Sequence, residues 1–180
     1  MNKTIEQYDA VIAQCRRIFV VKMKDYGPSW HIMRVQTVND QLFIKAKRVR
    51  EIEMTGENLV GDDVQGEMMA IINYSVIGLI QLRQGFSDGV DMSAERATEL
   101  YDAYTQEAKD LMLRKNHDYD EAWRGMRVSS YTDLILQKIF RTKQIEELDG
   151  ATWVSEGIDA NYMDMMNYAV FGLIKLTFPD

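Results

Sequence analysis

Apolar residues recur along this chain at spacings of three and four, and nowhere alternate over a length useful for a strand. Ile5, Tyr8, Ile12, Cys15 and Phe19 form one stripe, which predicts a helix over 4–24 with Thr4 at its start. Gly27-Pro28 stops it, and residues 25–39 read as a long loop of the kind that often carries function. A second helix, about 39–54, places Leu42, Ala46, Val49 and Ile52 on one side and ends at Gly56. A third, about 62–84, opens on Asp62 and Asp63 and is apolar almost all round from 68 to 82, so it should be buried on more than one side. Gly78 would let another helix approach closely there. Residues 84–92 link to a second set: Ser93 caps a helix over 94–116, followed by helices at 131–148 and 155–176. The class is all-α.

The second set repeats the first. Lys22-Met23-Lys24-Asp25-Tyr26-Gly27-Pro28-Ser29-Trp30 returns as Lys115-Asn116-His117-Asp118-Tyr119-Asp120-Glu121-Ala122-Trp123, each followed by Met-Arg-Val. Lys45 with Arg48 returns as Lys138 with Arg141, and Asn73-Tyr74 as Asn167-Tyr168. With an offset of 93 up to Glu53 and 94 thereafter, 25 of 75 aligned positions from Tyr8 to Leu82 are identical. Chance would give about one in twenty, so the chain is a tandem duplication. A unit of this size is marginal alone. The expected architecture is therefore a three-helix unit used twice, residues 1–86 and 87–180, sharing one core in a pseudo-twofold six-helix bundle. A monomeric pseudo-dimer and a homodimer are both compatible with this.

Composition narrows the partners. A formal charge of −7 argues against bulk nucleic acid but leaves room for a nucleotide in a local cationic pocket. The single cysteine, Cys15, forbids an intrachain disulfide, and its register is that of a buried small hydrophobe. No apolar signal-peptide core opens the chain, and the uncharged runs 68–82 and 162–173 are shorter than a membrane span requires. A cytoplasmic protein without a membrane partner is expected.

The repeated polar residues are the candidates for chemistry. Asp25 and Asp118 could contact a base edge, a sugar hydroxyl or a metal, or equally hold loop amides. Tyr26 and Trp30, or Tyr119 and Trp123, could contact or stack on a base, although a loop tryptophan more often pins the loop to the core. Lys45/Arg48 and Lys138/Arg141 could grip phosphate or simply form a solvated face, and Arg34 and Arg127 add a cation near the same loops. Asn73 and Asn167, inside apolar helices, either clamp helices across the pseudo-twofold or face a polar pocket. Glu67 and Asp164 occupy alternative positions of a Glu-x-x-Asp pattern that would suit Mg²⁺, and neither repeat has the full set. His31 and His117 are not repeated as histidines.

Lys-x-x-Asp-Tyr-Gly-x-x-Trp, then Lys-x-x-Arg, then Asp-x-x-Asn-Tyr-Ala resembles the first nucleotide modification associated domain family, formerly a domain of unknown function, here in a tandem-duplicated bacterial form. The second repeat keeps the last motif as Asp164-Met165-Met166-Asn167-Tyr168-Ala169, whereas the first has Ala70 in place of the aspartate. The resemblance implies a link to nucleotide metabolism or base modification. The helical layout is also similar to the MazG-like nucleoside triphosphate pyrophosphohydrolases, whose first acidic motif is replaced here by the Lys-x-x-Arg pairs. The leading expectation is a nucleotide-binding protein. A Mg²⁺-dependent pyrophosphohydrolase using Glu67 or Asp164 is the alternative, and a non-catalytic interaction module the second alternative.

Overall fold

The computed structural model describes residues 1–57, 63–89, 91–148 and 157–179. Six helices carry the fold: α1 (Asn2–Tyr26), α2 (Val35–Thr55), α3 (Val64–Gln84), α4 (Ala94–Tyr119), α5 (Val128–Glu147) and α6 (Ile158–Thr177). Short 3-10 turns at Ser29–Ile32 and Ala122–Gly125 join the first two helices of each repeat. No strand occurs among the described residues.

The helices form three layers of two. α3 and α6 pack on each other most extensively, with the α2/α5 pair on one side and the α1/α4 pair on the other. Coverage from both sides is why the third helix of each repeat must be apolar around its circumference, and Met68, Ile71, Ile72, Val76, Leu79 and Ile80 are all fully buried. One core draws its side chains from both repeats.

Pseudo-twofold pairs tie the halves together. On α3 and α6, Gly78 lies beneath the Tyr162 ring, and its counterpart Gly172 beneath the end of Met68, the residue equivalent to Tyr162. On α2 and α5, Asn39 donates to Glu146 at 2.5 Å and Thr132 donates to Glu53 at 3.2 Å, again equivalent positions. On α1 and α4, Arg16 pairs with Asp102 at 2.7 Å and Lys109 with Asp9 at 2.8 Å. Burial pushes the carboxyls of Glu53 and Glu146 above the ordinary range, while their hydrogen bonds pull the other way.

The caps largely follow the local sequence. Asp63 accepts from Gly66 N–H at 2.7 Å, and Ser93 accepts from Arg96 N–H at 3.0 Å. Gly56 closes α2 in the left-handed region at φ 74°. Thr4 is different: α1 begins at Asn2, so Thr4 lies inside its first turn, fully buried, and donates to Glu121 of the other repeat. The long loop expected over 25–39 is also much shorter. α1 runs to Tyr26 and α2 starts at Val35, with the 3-10 turn between. Asp62 and the expected start of the last helix at 155 lie outside the described residues. No described helix is long and apolar enough to cross a membrane.

Candidate functional site

In the first repeat, the end of α1, the 3-10 turn, α2 and α3 enclose a cavity of about 620 Å³. Its floor is apolar, including Ile18, Phe19, Met69 and Ile77. Trp30 projects into it from the turn, half-buried, with its ring 5.9 Å from that of Phe19. The turn is held from α3. Gln81 Nε2 donates to the carbonyls of His31 at 2.8 Å and Met33 at 2.6 Å, and Gln81 Oε1 lies 2.8 Å from His31 Nδ1. His31 Nε2 in turn faces Asp91 at 3.3 Å. These bonds satisfy carbonyls that would otherwise need water and fix the position of Trp30. Gly27, at φ 61°, makes the reversal from α1.

The polar lining comes from three helices. Glu67 of α3 is 2% exposed. Its Oε1 accepts from Arg48 Nη1 at 2.7 Å, while its Oε2 lies 3.6 Å from Lys45 Nζ and has no hydrogen-bond partner among the described residues. The Lys-x-x-Arg pair of α2 thus converges on a buried carboxylate. Lys22 and Tyr26, both exposed, stand at the mouth. Asn73 also borders the cavity, but both ends of its amide are engaged: Nδ2 donates to the Cys15 carbonyl at 3.0 Å, and Oδ1 accepts from the Tyr101 hydroxyl at 2.8 Å. Burial pushes the Cys15 thiol up to about 12, so it is an inert packing group.

The same positions in the second repeat are packed against one another. Trp123 is 6% exposed, stacked face to face on Phe171 at 4.2 Å and 8°, with the Arg124 guanidinium 4.4 Å above its ring. Phe171 and Arg124 replace Ile77 and His31 of the first repeat. Asp164, where the first repeat has Ala70, lies between Lys115 at 2.7 Å and Lys138 at 3.2 Å. Asn161, the counterpart of Glu67, is fully buried with neither amide atom hydrogen-bonded among the described residues. Asn167 keeps the clamp of its twin, donating to the Ala108 carbonyl at 3.0 Å and accepting from Tyr8 at 2.6 Å.

The structure therefore gathers Tyr26, Trp30, Lys45, Glu67 and Asn73 around one cavity, with Arg48 behind Glu67. Asp25 and Arg34 are exposed and do not line it. In the second repeat Asp118, Tyr119 and Arg127 are exposed, Arg141 is half-buried, and Trp123 is sealed under Arg124. Glu67 and Asp164 belong to different clusters, each held by two cationic side chains, and among the described residues no three His, Cys, Asp or Glu side chains gather as a metal would need. This donor set does not fit Mg²⁺, which binds through carboxylates left available to it.

Gln81 and Lys175 are positions the sequence pattern did not single out. They are equivalent, and both hold the 3-10 turn of their repeat: Lys175 Nζ donates to the carbonyls of Arg124 and Met126 just as Gln81 does to those of His31 and Met33. The available signal was a polar residue at the same late position of two apolar helices.

No similar protein was found among curated proteins, and none among solved structures. The family match is different in kind, because it falls on both halves and includes the cavity-forming turn and helices. It covers residues 22–82 and 115–176, more than half of the chain, and on that ground the chain belongs to the family nucleotide modification associated domain 1, which it carries twice.

Proposed function

We propose that this protein binds a nucleotide in the first-repeat cavity. The observation that carries the reading is the combination in one cavity of an aromatic and apolar interior around Trp30, a buried carboxylate at Glu67, and cations at Lys45 and Lys22. A volume of about 620 Å³ falls within the range of small-molecule sites, about 300–1,000 Å³. An aromatic platform suits a base, and ammonium groups suit phosphate oxygens. Family membership points the same way, through the association its name records.

The two repeats divide the work. The first keeps an open cavity because Ala70 replaces the aspartate and Ile77 replaces the phenylalanine, which leaves space and leaves Lys22 without the acid that Lys115 meets. The second fills the corresponding space with Trp123, Phe171 and the Lys115–Asp164–Lys138 cluster, and contributes rigidity. Binding is favoured over hydrolysis because both candidate acids are already neutralised by cations.

Thermal-shift titration with a panel of ribo- and deoxynucleotides, with and without Mg²⁺, together with an assay for released pyrophosphate, tests this. Stabilisation without Mg²⁺ and without pyrophosphate is the expected result. Stabilisation by no nucleotide refutes the reading, and Mg²⁺-dependent pyrophosphate release replaces it with the hydrolase.

A further inference from the structure

Resting on the nucleotide-binding reading, we infer that His31 is a pH-dependent positioning residue for the cavity. Protonated, it ties the linker between the repeats onto the turn that carries Trp30, and the nucleotide binds more tightly in that state. The ring's tautomer follows from its partners. Both N–H groups of the Gln81 amide are committed to turn carbonyls, His31 at 2.8 Å and Met33 at 2.6 Å, so Oε1 is the end that faces His31 Nδ1 at 2.8 Å. An amide oxygen only accepts, so Nδ1 carries a hydrogen. In a neutral imidazole Nε2 then holds a lone pair, aimed at the Asp91 carboxylate 3.3 Å away. Protonation turns that contact into a charge-assisted hydrogen bond.

The linker is already seated on the turn. Ser87 N–H donates to the His31 carbonyl at 3.0 Å, and the Ser87 hydroxyl donates to the other Asp91 oxygen at 2.9 Å, so backbone and ring of His31 meet one short segment. Among the described residues Asp91 is the one acid within ion-pair reach of the ring. α3 presents the neutral Gln81, and the turn presents Trp30, edge to face at 6.1 Å. The second repeat has a permanent cation at this place. Arg124, equivalent to His31, lies over the Trp123 ring, and Lys175, equivalent to Gln81, offers no acceptor. The open repeat instead pairs a titratable cation with a residue that accepts from it, and turns the charge toward the linker. Imidazole changes charge between about pH 5 and 8, so the tie is present at the acid end and is lost as pH rises through that change. Its loss releases the turn on one side, lowers the fraction of molecules with Trp30 in place, and weakens binding in proportion.

Calorimetry at pH 6 and pH 8 on the native chain and on Asp91→Asn tests this, with the nucleotide that stabilises the protein most in the thermal-shift panel. The Asp91 side chain is 69% exposed, so the variant should fold, and its amide can accept from a protonated ring or donate to a neutral one. Both proteins share the titration of the ligand's own phosphate, which the variant therefore cancels. With that change divided out, the native chain binds about 2- to 5-fold more tightly at pH 6 than at pH 8, the range for one exposed ion pair. Amide hydrogen exchange at Ser87, corrected for the intrinsic rate, reads the tie without ligand: protection is greater at pH 6 in the native chain and equal at both pH values in Asp91→Asn. The same pH dependence of affinity in both proteins, tighter binding of the native chain at pH 8, or Ser87 exchange indifferent to Asp91 overturns the role of His31 while nucleotide binding stands. Binding of no nucleotide at either pH overturns the coupling together with the function it rests on.

Discussion

Tyr101 of the second repeat donates its hydroxyl to Asn73 of the first at 2.8 Å, and Tyr8 of the first returns the same bond to Asn167 of the second at 2.6 Å. Each asparagine spends its other end on a backbone carbonyl of the opposing layer, Cys15 or Ala108. The amides therefore bolt the α1/α4 layer to the α3/α6 layer. Replacing Asn73 by Leu strands a buried hydroxyl and a carbonyl, which should cost about 2–4 kcal/mol, whereas Tyr101→Phe removes a donor cleanly and should cost about 1 kcal/mol. A double-mutant cycle by urea unfolding should show the two losses to be non-additive. Additive losses would mean that the hydroxyl–amide bond contributes nothing of its own.

The two interhelical glycines should respond differently to a methyl group. A Cβ at Gly78 would lie 2.6 Å from the Tyr162 ring, whose hydroxyl is tied to Asn39 at 2.5 Å and so cannot easily retreat. Gly78→Ala should destabilise by about 1–3 kcal/mol through overpacking. At Gly172 the nearest atom is the tip of Met68 at 3.5 Å, an ordinary contact with a flexible chain. Gly172→Ala should change stability by less than about 1 kcal/mol, with improved helix propensity as the favourable part. Thermal unfolding of the two variants checks the contrast.

Two glutamates should give opposite pH signatures. Burial raises the pKa of Glu146 above its ordinary 4.5, so the folded state prefers the neutral form and loses stability as pH rises through the raised value. Glu146→Gln keeps an acceptor for Asn39 and avoids that loss, so the variant should gain on the native chain toward pH 7 and the advantage should vanish in acid. Glu107 is held below 4.5 by its hydrogen bond with Arg83, so its contribution is present above the ordinary value and is lost as pH falls through the lowered one. Glu107→Gln should be the less stable protein at pH 7 and should converge with the native chain in acid. Melting temperatures between pH 3 and 8 decide both signs.

The duplicated tryptophans should separate binding from folding. Trp123 is buried between Phe171 and Arg124, so Trp123→Ala should cost about 3–5 kcal/mol of stability, as truncating a core aromatic does. Trp30 is only half-buried and lines the cavity, so Trp30→Ala should cost less stability and weaken nucleotide affinity by about 1–3 kcal/mol, the contribution of one aromatic platform. Unfolding curves and nucleotide titrations on both variants would reveal a reversed pattern if the second repeat were the binding one.

The all-α fold was legible because α3 and α6 advertise it. Only a helix covered from two sides can be apolar all round, and the two copies repeat the signal. The connection between α1 and α2 was misjudged because what shortens it is not local: the carbonyls of the turn are satisfied by Gln81, about fifty residues away. Repetition drew attention to Trp30 and Lys45, which line one cavity, but Glu67 is Asn161 in the second copy, and repetition could not reveal which copy stays open. That depends on positions where the copies differ, Ala70 against Asp164, Ile77 against Phe171 and His31 against Arg124, and a search for identities passes over them. Asp25 and Asp118 are repeated as faithfully as the tryptophans, yet both face solvent, and nothing in the structure explains their retention.

The claim that one repeat binds while the other is filled from within is tested most directly by the stoichiometry of a calorimetric titration with the nucleotide that stabilises the protein most in the thermal-shift panel. The account predicts one nucleotide per chain, abolished by Ala70→Leu, which places a larger side chain in the cavity beside Lys22 and Trp30. Two nucleotides per chain, or one that persists in Ala70→Leu, would contradict it.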